Sequence, residues 1–285
     1  MDRNLFRELE AKLPDMTRAQ KLVADFITKK PMNAVFFTID QLAHASGAST
    51  ATVVRLALFM GYGGYADFQR ELQDCLQKMM APSHRLEERF QDLGKNDLLS
   101  EVFMVQMKGL EETFANLNHD NLRKAVDLIQ RGRRVYVVGS RSCFSVAHYL
   151  GYNLARITGK CRFLNPSEGL LGEELNQITD EDVVICFTLP RYITTVVRAA
   201  KIAASRGAHI IAITDGYRSP LASYSEVLLR IAYRSYDFHN TVMPAFLIAE
   251  ILISLITAEN PLSTKTNLAE VETILADLDT HVNVK

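Results

Sequence analysis

The sequence predicts an α/β fold in which an all-helical N-terminal segment precedes a larger region built on a parallel sheet. Residues 4–80 show the apolar spacing of short helices, whereas beyond residue 132 short apolar runs alternate with amphipathic helices. Residues 81–97 lie between these regions and are polar, with a proline, a glycine and no sustained apolar period. We therefore expect two domains, 1–80 and 98–285, joined by a linker over 81–97.

The composition excludes several classes of protein. With 32 basic and 33 acidic side chains in 285 residues, the chain is neither a disordered acidic tail nor a basic coat for nucleic acid. The 4 cysteines lie far apart without zinc-ligand spacing, so we expect reduced thiols, no metal and no cofactor. A charged N-terminus, and a longest apolar run that contains Pro244 and Glu250, favour a cytoplasmic protein that crosses no membrane.

Helices in the N-terminal segment are predicted from apolar spacing, caps and helix breakers. Thr17 is a suitable N-cap, and Pro31 stops the helix that follows it. Gly47 separates a second helix from a third, and a fourth follows a group of glycines. The predicted bounds are 17–30, 39–46, 49–60 and 65–80.

The second and third of these helices have the spacing of a helix-turn-helix motif. Ala43 is small enough to let the helices approach, Gly47 takes the left-handed turn, and β-branched Val53 packs into the core. The front of the third helix then faces outward, where such motifs meet the major groove of double-stranded DNA. The residues predicted to face the groove are Ser49, Thr50, Ala51 and Arg55.

The local charge supports DNA as the partner. Arg55 is the sole Lys, Arg, Asp or Glu between Gln41 and Ala66, so no carboxylate opposes a polyanion on this face. Residues 17–60 hold five basic against two acidic side chains, and Lys29 and Lys30 are predicted to contact phosphates. Two alternatives stay open: an α-hairpin with this spacing by chance, and a helical cap that binds another protein.

Short apolar strands in the second region end at loops that suit a ligand. Apolar runs at 135–138, 183–187 and 209–213 alternate with helices near 142–158 and 193–206. This pattern is typical of a parallel sheet covered on both faces, in which ligands bind beyond the carboxyl ends of the strands. We therefore place the candidate site in the loops that follow the first two strands, at 139–145 and 188–192.

Both halves of the chain resemble the RpiR family of bacterial transcriptional regulators, which join an N-terminal helix-turn-helix to a SIS (sugar isomerase) domain. The similar segments are IDQLAHASGASTATVVRLALFMGYGGYADFQRELQ, VYVVGSRSCFSVAHYLGYNLARITGKCRFL and HIIAITDGYRSPLASYSEVLL. The resemblance covers most of the chain. It implies a Rossmann-like three-layer α/β SIS domain, a sugar phosphate or related anionic metabolite as effector, and a homodimer or homotetramer.

The ligand loops depart from the family pattern. Where SIS domains commonly have Gly-x-Gly-x-Ser, this chain has arginine for the second glycine and cysteine for the serine. Of the hydroxyls in the common Ser-x-Ser-Gly-x-Thr loop, the chain keeps one, at Thr188. The candidate ligand-binding residues are Gly139, Ser140, Arg141, Ser142, Cys143, Thr188, Arg191, Tyr192 and His239.

Two interpretations are open for the arginines in these loops. Arg141 and Arg191 can clamp a carboxylate or phosphate with charge-assisted hydrogen bonds, or they can pair with Glu168, Glu173 or Glu174 and only shape the loops. Tyr192 stacks on a ligand or packs locally. His239 and Asn240 are expected to open the long apolar helix at 242–258, where His239 contacts the ligand, caps the helix or is solvated.

The function predicted from these features is a ligand-responsive DNA-binding regulator without catalytic activity. The alternative is a SIS-type sugar-phosphate isomerase, which needs a general base such as Glu174 or His239 near the phosphate. The added helix-turn-helix and the depleted hydroxyls argue against the isomerase. The apolar helix at 242–258 also predicts at least a dimer, because it exposes too little polar surface for the outside of a monomer.

Overall fold

The computed structural model describes residues 5–79, 81–90, 97–166 and 169–278. The chain divides into two compact units, Met1–Leu93 and Gly94–Lys285. A helix, α7 (Pro82–Phe90), occupies part of the stretch predicted to be a linker. Proline is favoured in the first turn of a helix, and the residues from Arg85 to Arg89 are good helix formers, so local propensity accounts for α7.

The first unit is helical, as the sequence predicts. Thr17 caps α2 (Arg18–Lys29) in a reciprocal capping box with Gln20, and Lys30 and Pro31 follow the end of this helix. Leu42, Val53 and Phe68 are fully buried in the core of this unit. The unit also contains the α-helices α1 (Leu5–Ala11), α3 (Pro31–Ala34), α4 (Ile39–Ser46), α5 (Thr50–Phe59) and α6 (Tyr65–Met79).

The second unit is a five-stranded parallel sheet between helices, with the strand order β2-β1-β3-β4-β5. The strands are β1 (Val135–Gly139), β2 (Cys161–Leu164), β3 (Val183–Phe187), β4 (His209–Thr214) and β5 (Val227–Arg230). The helices are α8 (Leu98–Ala115), α9 (His119–Arg131), α10 (Ser142–Thr158), α11 (Leu171–Asn176), α12 (Thr194–Ser205), α13 (Met243–Glu259) and α14 (Pro261–Asp277).

Alternate residues of the central strands enter two separate cores. On β3, Val183, Ile185 and Phe187 pack with α9, α10 and α13, whereas Val184 and Cys186 pack with α11 and α12. The strands β1 and β4 alternate in the same way. Burial on both faces explains the continuous apolar runs and confirms the predicted three-layer α/β arrangement.

Two predictions for this unit need correction. The sequence analysis missed β2 and β5, which form the two edges of the sheet and contain arginines at Arg162 and Arg230. His239 and Asn240 do not open the apolar helix, because α13 begins at Met243 with Pro244 in its first turn. Proline at that position fixes a helical φ where no N–H is needed, and this places the helix start.

Within the described ranges, no single helix has the length and hydropathy to cross a bilayer. The helices α13 and α14 pass that test only when they are combined across a bend of 106°.

Candidate functional site

The turn between α4 and α5 has the geometry that the helix-turn-helix spacing predicts. Gly47 ends α4 with φ 68° and ψ 29°, in the left-handed region that favours glycine. The Ala48 N–H then donates to the Ala43 carbonyl at 2.9 Å and closes the turn. Ser49 caps α5 by accepting a hydrogen bond from the Thr52 N–H at 3.2 Å.

The four predicted groove residues lie together and are exposed at the front of α5. No carboxylate of a described residue pairs with Thr50, Ala51 or Arg55. The Ser49 hydroxyl already takes part in the helix cap. The Arg55 Nε donates to the Ala51 carbonyl one turn earlier, at 3.2 Å. This contact is local and exposed, so the guanidinium keeps donors for another partner.

Lys29 and Lys30 lie apart from this face. The helix α2 meets α5 where the Gln20 amide donates to the Arg55 carbonyl at 3.4 Å. Lys29 is nine residues further along α2, about 14 Å at the rise of an α-helix, and it pairs with Asp25 at 2.6 Å. The exposed Arg18 and Lys21 flank Gln20, and the sequence analysis counted them in the charge excess without naming them as contacts.

The two ligand loops begin side by side in the second unit. Gly139 at the end of β1 pairs in register with Phe187 at the end of β3. A side chain on Gly139 would place its Cβ 2.5 Å from the Cys143 carbonyl oxygen, so this position requires glycine for close packing of the strand on α10. The sheet therefore places the loops at 140–142 and 188–192 next to each other, and the space between them is called the crevice below.

Both arginines in these loops have left-handed backbones. Arg141 has φ 54° and ψ −127°, and Arg191 has φ 68°. They are the only non-glycine residues with positive φ in the described part of the chain. Side chains other than glycine are strained there, at a cost of about 1–3 kcal/mol each. Arg141 therefore stands in a conformation that favours glycine, at the position where SIS domains commonly have glycine.

The arginine side chains are exposed and form no ion pair with any described residue. In particular, they do not pair with Glu173 or Glu174, the partners expected if the arginines only shape the loops. Glu168, the third proposed partner, lies outside the described residues. Both guanidinium groups are therefore available to an anion in the crevice.

Thr188 and Tyr192 are held within the second loop. The buried Thr188 hydroxyl accepts a hydrogen bond from the Ile193 N–H at 3.2 Å. The Tyr192 hydroxyl donates to the Asp215 carboxylate at 3.0 Å and thereby joins this loop to the end of β4. Burial raises the pKa of both Tyr192 and Asp215. The sequence analysis missed Asp215, although it follows β4 as the loops of interest follow β1 and β3.

The remaining predicted ligand residues differ in their access to the crevice. Ser140 is half-buried, Ser142 is exposed, and Cys143 is buried. Burial raises the pKa of the Cys143 thiol to about 11, so it is not a thiolate nucleophile at neutral pH. His239 is exposed, and its neighbour Asn240 donates to the Pro190 carbonyl at 3.0 Å, so this segment contacts the second loop.

Glu174, one of the two bases considered for an isomerase, lies away from the loops. It is one helical turn from Gln177, whose side chain accepts a hydrogen bond from Arg134 Nη1 at 3.3 Å. Arg134 precedes β1, so this contact is at the opposite end of the strand from Gly139, about 13 Å along it. Among the described residues, no group of three or more His, Cys, Asp or Glu side chains can hold a metal ion.

The comparisons with known proteins agree with this arrangement. The model of the helix-turn-helix domain of the rpiR family matches residues 3–79, and the SIS domain model matches residues 128–255. The regulator HexR of Pseudomonas aeruginosa is 26% identical over 80% of this chain and 79% of its own, and RpiR of Escherichia coli K12 is 22% identical over 78% and 74%.

A solved structure has the same overall fold. It is the Vibrio vulnificus NanR protein complexed with ManNAc-6P, with a TM-score of 0.65, 23% identity, and coverage of 96% of this chain and 99% of its own. The two domain models match in the order that the sequence analysis predicts, and the similar proteins named above are HTH-type transcriptional regulators. The chain belongs to the RpiR family of transcriptional regulators, with an N-terminal helix-turn-helix and a C-terminal SIS domain.

Proposed function

We propose that this regulator binds a phosphorylated sugar between the loops at 140–142 and 188–192, and that the effector alters operator binding. The observation that carries the proposal is the pair of exposed arginines, Arg141 and Arg191, which stand unpaired within the described residues at the ends of adjacent strands. The strained backbone at each arginine lowers the stability of the fold. An anionic ligand that binds the two guanidinium groups would explain why arginine occupies both positions.

The chemistry of the loops favours an anion over a neutral sugar. Arginine binds phosphate or carboxylate through two parallel N–H bonds, and the N-termini of α10 and α12 add backbone donors at the same crevice. The similar NanR protein was solved with ManNAc-6P, which supports a phosphorylated ligand for this chain. Because few hydroxyls remain in the loops, a sugar acid is the alternative that the experiment distinguishes.

The test is calorimetric titration of sugar phosphates and sugar acids against the wild-type protein and two variants. We expect Arg191→Ala and Arg141→Ala to weaken the ligand that releases DNA by about tenfold or more, since each removes a charge-assisted contact. Arg198→Ala, which removes an exposed arginine on α12, is the matched control. Equal affinity in wild type and Arg191→Ala would reject Arg191 as the anion contact and leave the DNA-binding function intact.

On the DNA side, we propose that Arg55 contacts a base edge and that the basic residues of α2 contact phosphates. Arg55→Ala is expected to cost about 1–3 kcal/mol of operator binding and to relax specificity at one base position. Substitution of Lys29 or Lys30, or of Arg18, is expected to weaken all DNA sequences alike and to lower the salt slope by about one unit per contact. Arg70→Ala on α6 serves as the control.

We further propose a homodimer or homotetramer in the cytoplasm, with α8 as the self-association surface. The sequence argument relied on α13, but α8, α9, α10 and α14 contact α13 within its own unit, and its central residues are buried. The exposed apolar face belongs instead to α8, where Leu99 is 79% exposed, Phe103 64% and Phe114 62%. These residues recur on one side of the helix, which is the pattern of a helix–helix contact.

Light scattering tests the self-association surface directly. We expect a mass of at least twice 32.0 kDa for the wild type at micromolar concentration, and a shift towards the monomer for Phe103→Glu. A two-fold operator follows, with half-sites about 34–36 Å apart or a multiple of that distance. A monomeric wild-type protein would contradict this proposal.

A further inference from the structure

A second charged cavity, of approximately 400 Å³, lies within the second unit beside the ends of β4 and β5. One wall is a face of α8 that includes Lys108 and Glu112, four residues apart. The opposite wall is Asp215, which follows β4, and the segment from Arg230 to Arg234 that continues β5. The volume is within the range of small-molecule sites in proteins.

Cations outnumber anions around this cavity. Lys108, Arg230 and Arg234 face two carboxylates, Glu112 and Asp215. Glu112 is 4.0 Å from the Arg230 guanidinium, at the limit of an ion pair. Lys108 and Arg234 form no ion pair with any residue of the described ranges. The Asp215 carboxylate is already engaged, because it accepts hydrogen bonds from Tyr192 and Thr214.

We propose that this cavity is a second oxyanion site, which binds the phosphate or carboxylate group of a small metabolite through Lys108, Arg230 and Arg234. Lys108 and Arg234 line the cavity without a carboxylate partner among the described residues, and a bound oxyanion would give both of them charge-assisted hydrogen bonds. Neither carboxylate in the cavity lining is fully buried, since Glu112 is half-exposed and Asp215 is half-buried.

The cavity is separate from the effector crevice. The crevice lies at the ends of β1 and β3, whereas β5 is two strands from β3, about 10 Å across the sheet. The hydrogen bond from Tyr192 in the second ligand loop to Asp215 in the cavity wall joins the two sites. An anion in the cavity would also fix α8 against the sheet, and α8 is the first helix after the boundary at Leu93.

The experiment is calorimetric titration of the full chain with two probes, inorganic phosphate and malonate. Both are measured in the Arg191→Ala background, so that the effector crevice contributes little heat. We expect saturable binding of at least one probe below about 10 mM, which is the range of a weak single-anion site. Saturation by phosphate alone assigns the site to phosphorylated ligands, and saturation by malonate alone assigns it to carboxylates.

Variants in the cavity wall give opposite expected effects. Lys108→Gln combined with Arg234→Gln should weaken the probe by about tenfold or more. Glu112→Gln should strengthen it by about two- to fivefold, since it removes the carboxylate that opposes Arg230, and loss of folding cannot produce this gain. Lys201→Gln, which removes an exposed lysine on α12 outside the cavity, is the control.

Two results would overturn the proposal. One is the absence of saturation by either probe in the Arg191→Ala protein, and the other is equal affinity in the Lys108→Gln/Arg234→Gln variant. Neither result bears on the effector crevice, because the titrations that test Arg191 use sugar phosphates and sugar acids and compare the wild type with Arg191→Ala.

Discussion

The helix-turn-helix and the SIS ligand loops both contain left-handed backbone positions, but they fill them with different residues. In the turn between α4 and α5 the left-handed residue is Gly47, and a Cβ placed there would meet nothing within 4 Å. In the two ligand loops the residues with positive φ are Arg141 and Arg191. Where a turn needs only a left-handed backbone, glycine adopts it without strain. An arginine in such a conformation is strained, so we infer that its side chain has a role beyond folding.

The largest expected effect is at a glycine that the packing requires. Gly139→Ala would place a methyl group 2.5 Å from the Cys143 carbonyl oxygen and 2.7 Å from the Ala147 Cβ. Because both neighbours belong to α10, which packs on the sheet, we expect a loss of about 3 kcal/mol in the free energy of unfolding. Calorimetric unfolding of the full chain measures this loss. A loss below about 1 kcal/mol would mean that α10 moves easily and that the first ligand loop is not rigid.

A smaller loss is expected where only the backbone conformation requires glycine. Gly47→Ala meets no neighbouring atom, so its cost is the left-handed conformation alone, about 1–2 kcal/mol. For a unit of this size, each kcal/mol of lost stability lowers the midpoint of thermal unfolding by roughly 4–8 °C. Operator affinity should fall in parallel, whereas effector affinity should not change.

The opposite sign is expected for the first arginine. Arg141→Gly relieves a strained backbone and removes no ion pair within the described residues, so the free energy of unfolding should rise by about 1 kcal/mol. Effector affinity should fall at the same time. Arg141→Ala separates the two causes, because it removes the guanidinium and keeps the strain, and it should lose affinity without a gain in stability.

The smallest change in stability is expected at the second arginine. Arg191 has φ 68°, close to the ordinary left-handed minimum, so the relief from Arg191→Gly is about equal to the entropy that glycine adds to the unfolded chain. Stability should stay within about 0.5 kcal/mol, while the effector binds more weakly. A variant with unchanged effector affinity would remove the reason for an arginine at this position.

Much of the fold was predictable because its determinants are local. Thr17, Pro31 and Gly47 mark the helix ends that the structure has, and the apolar runs of β1, β3 and β4 reflect burial on both faces. The edge strand β2 was missed for the converse reason. It is short and half-exposed, so it contains a charged residue and shows no apolar run.

The candidate site was predictable in place but not in its contacts. The order of strands and loops located the crevice, and the comparison with the common SIS loops identified Arg141 as a replacement for glycine. The hydrogen bond from Tyr192 to Asp215 joins residues 23 positions apart, and the cavity beneath α8 depends on how that helix packs. Contacts of this kind follow from tertiary packing, which local patterns do not encode.

Three of the cysteines, Cys75, Cys143 and Cys186, are buried and Cys161 is half-buried, so the native thiols are expected to react slowly with labelling reagents. Burial raises the pKa of Cys143 to about 11 and that of Cys161 and Cys186 to about 12, and it raises the pKa of Cys75 as well. At pH 7 a thiol with a pKa near 11 is a thiolate in about one molecule in ten thousand, so maleimides and iodoacetamides react with it slowly. A fluorophore on a single introduced thiol, such as Leu99→Cys on α8, therefore needs no prior removal of the native cysteines.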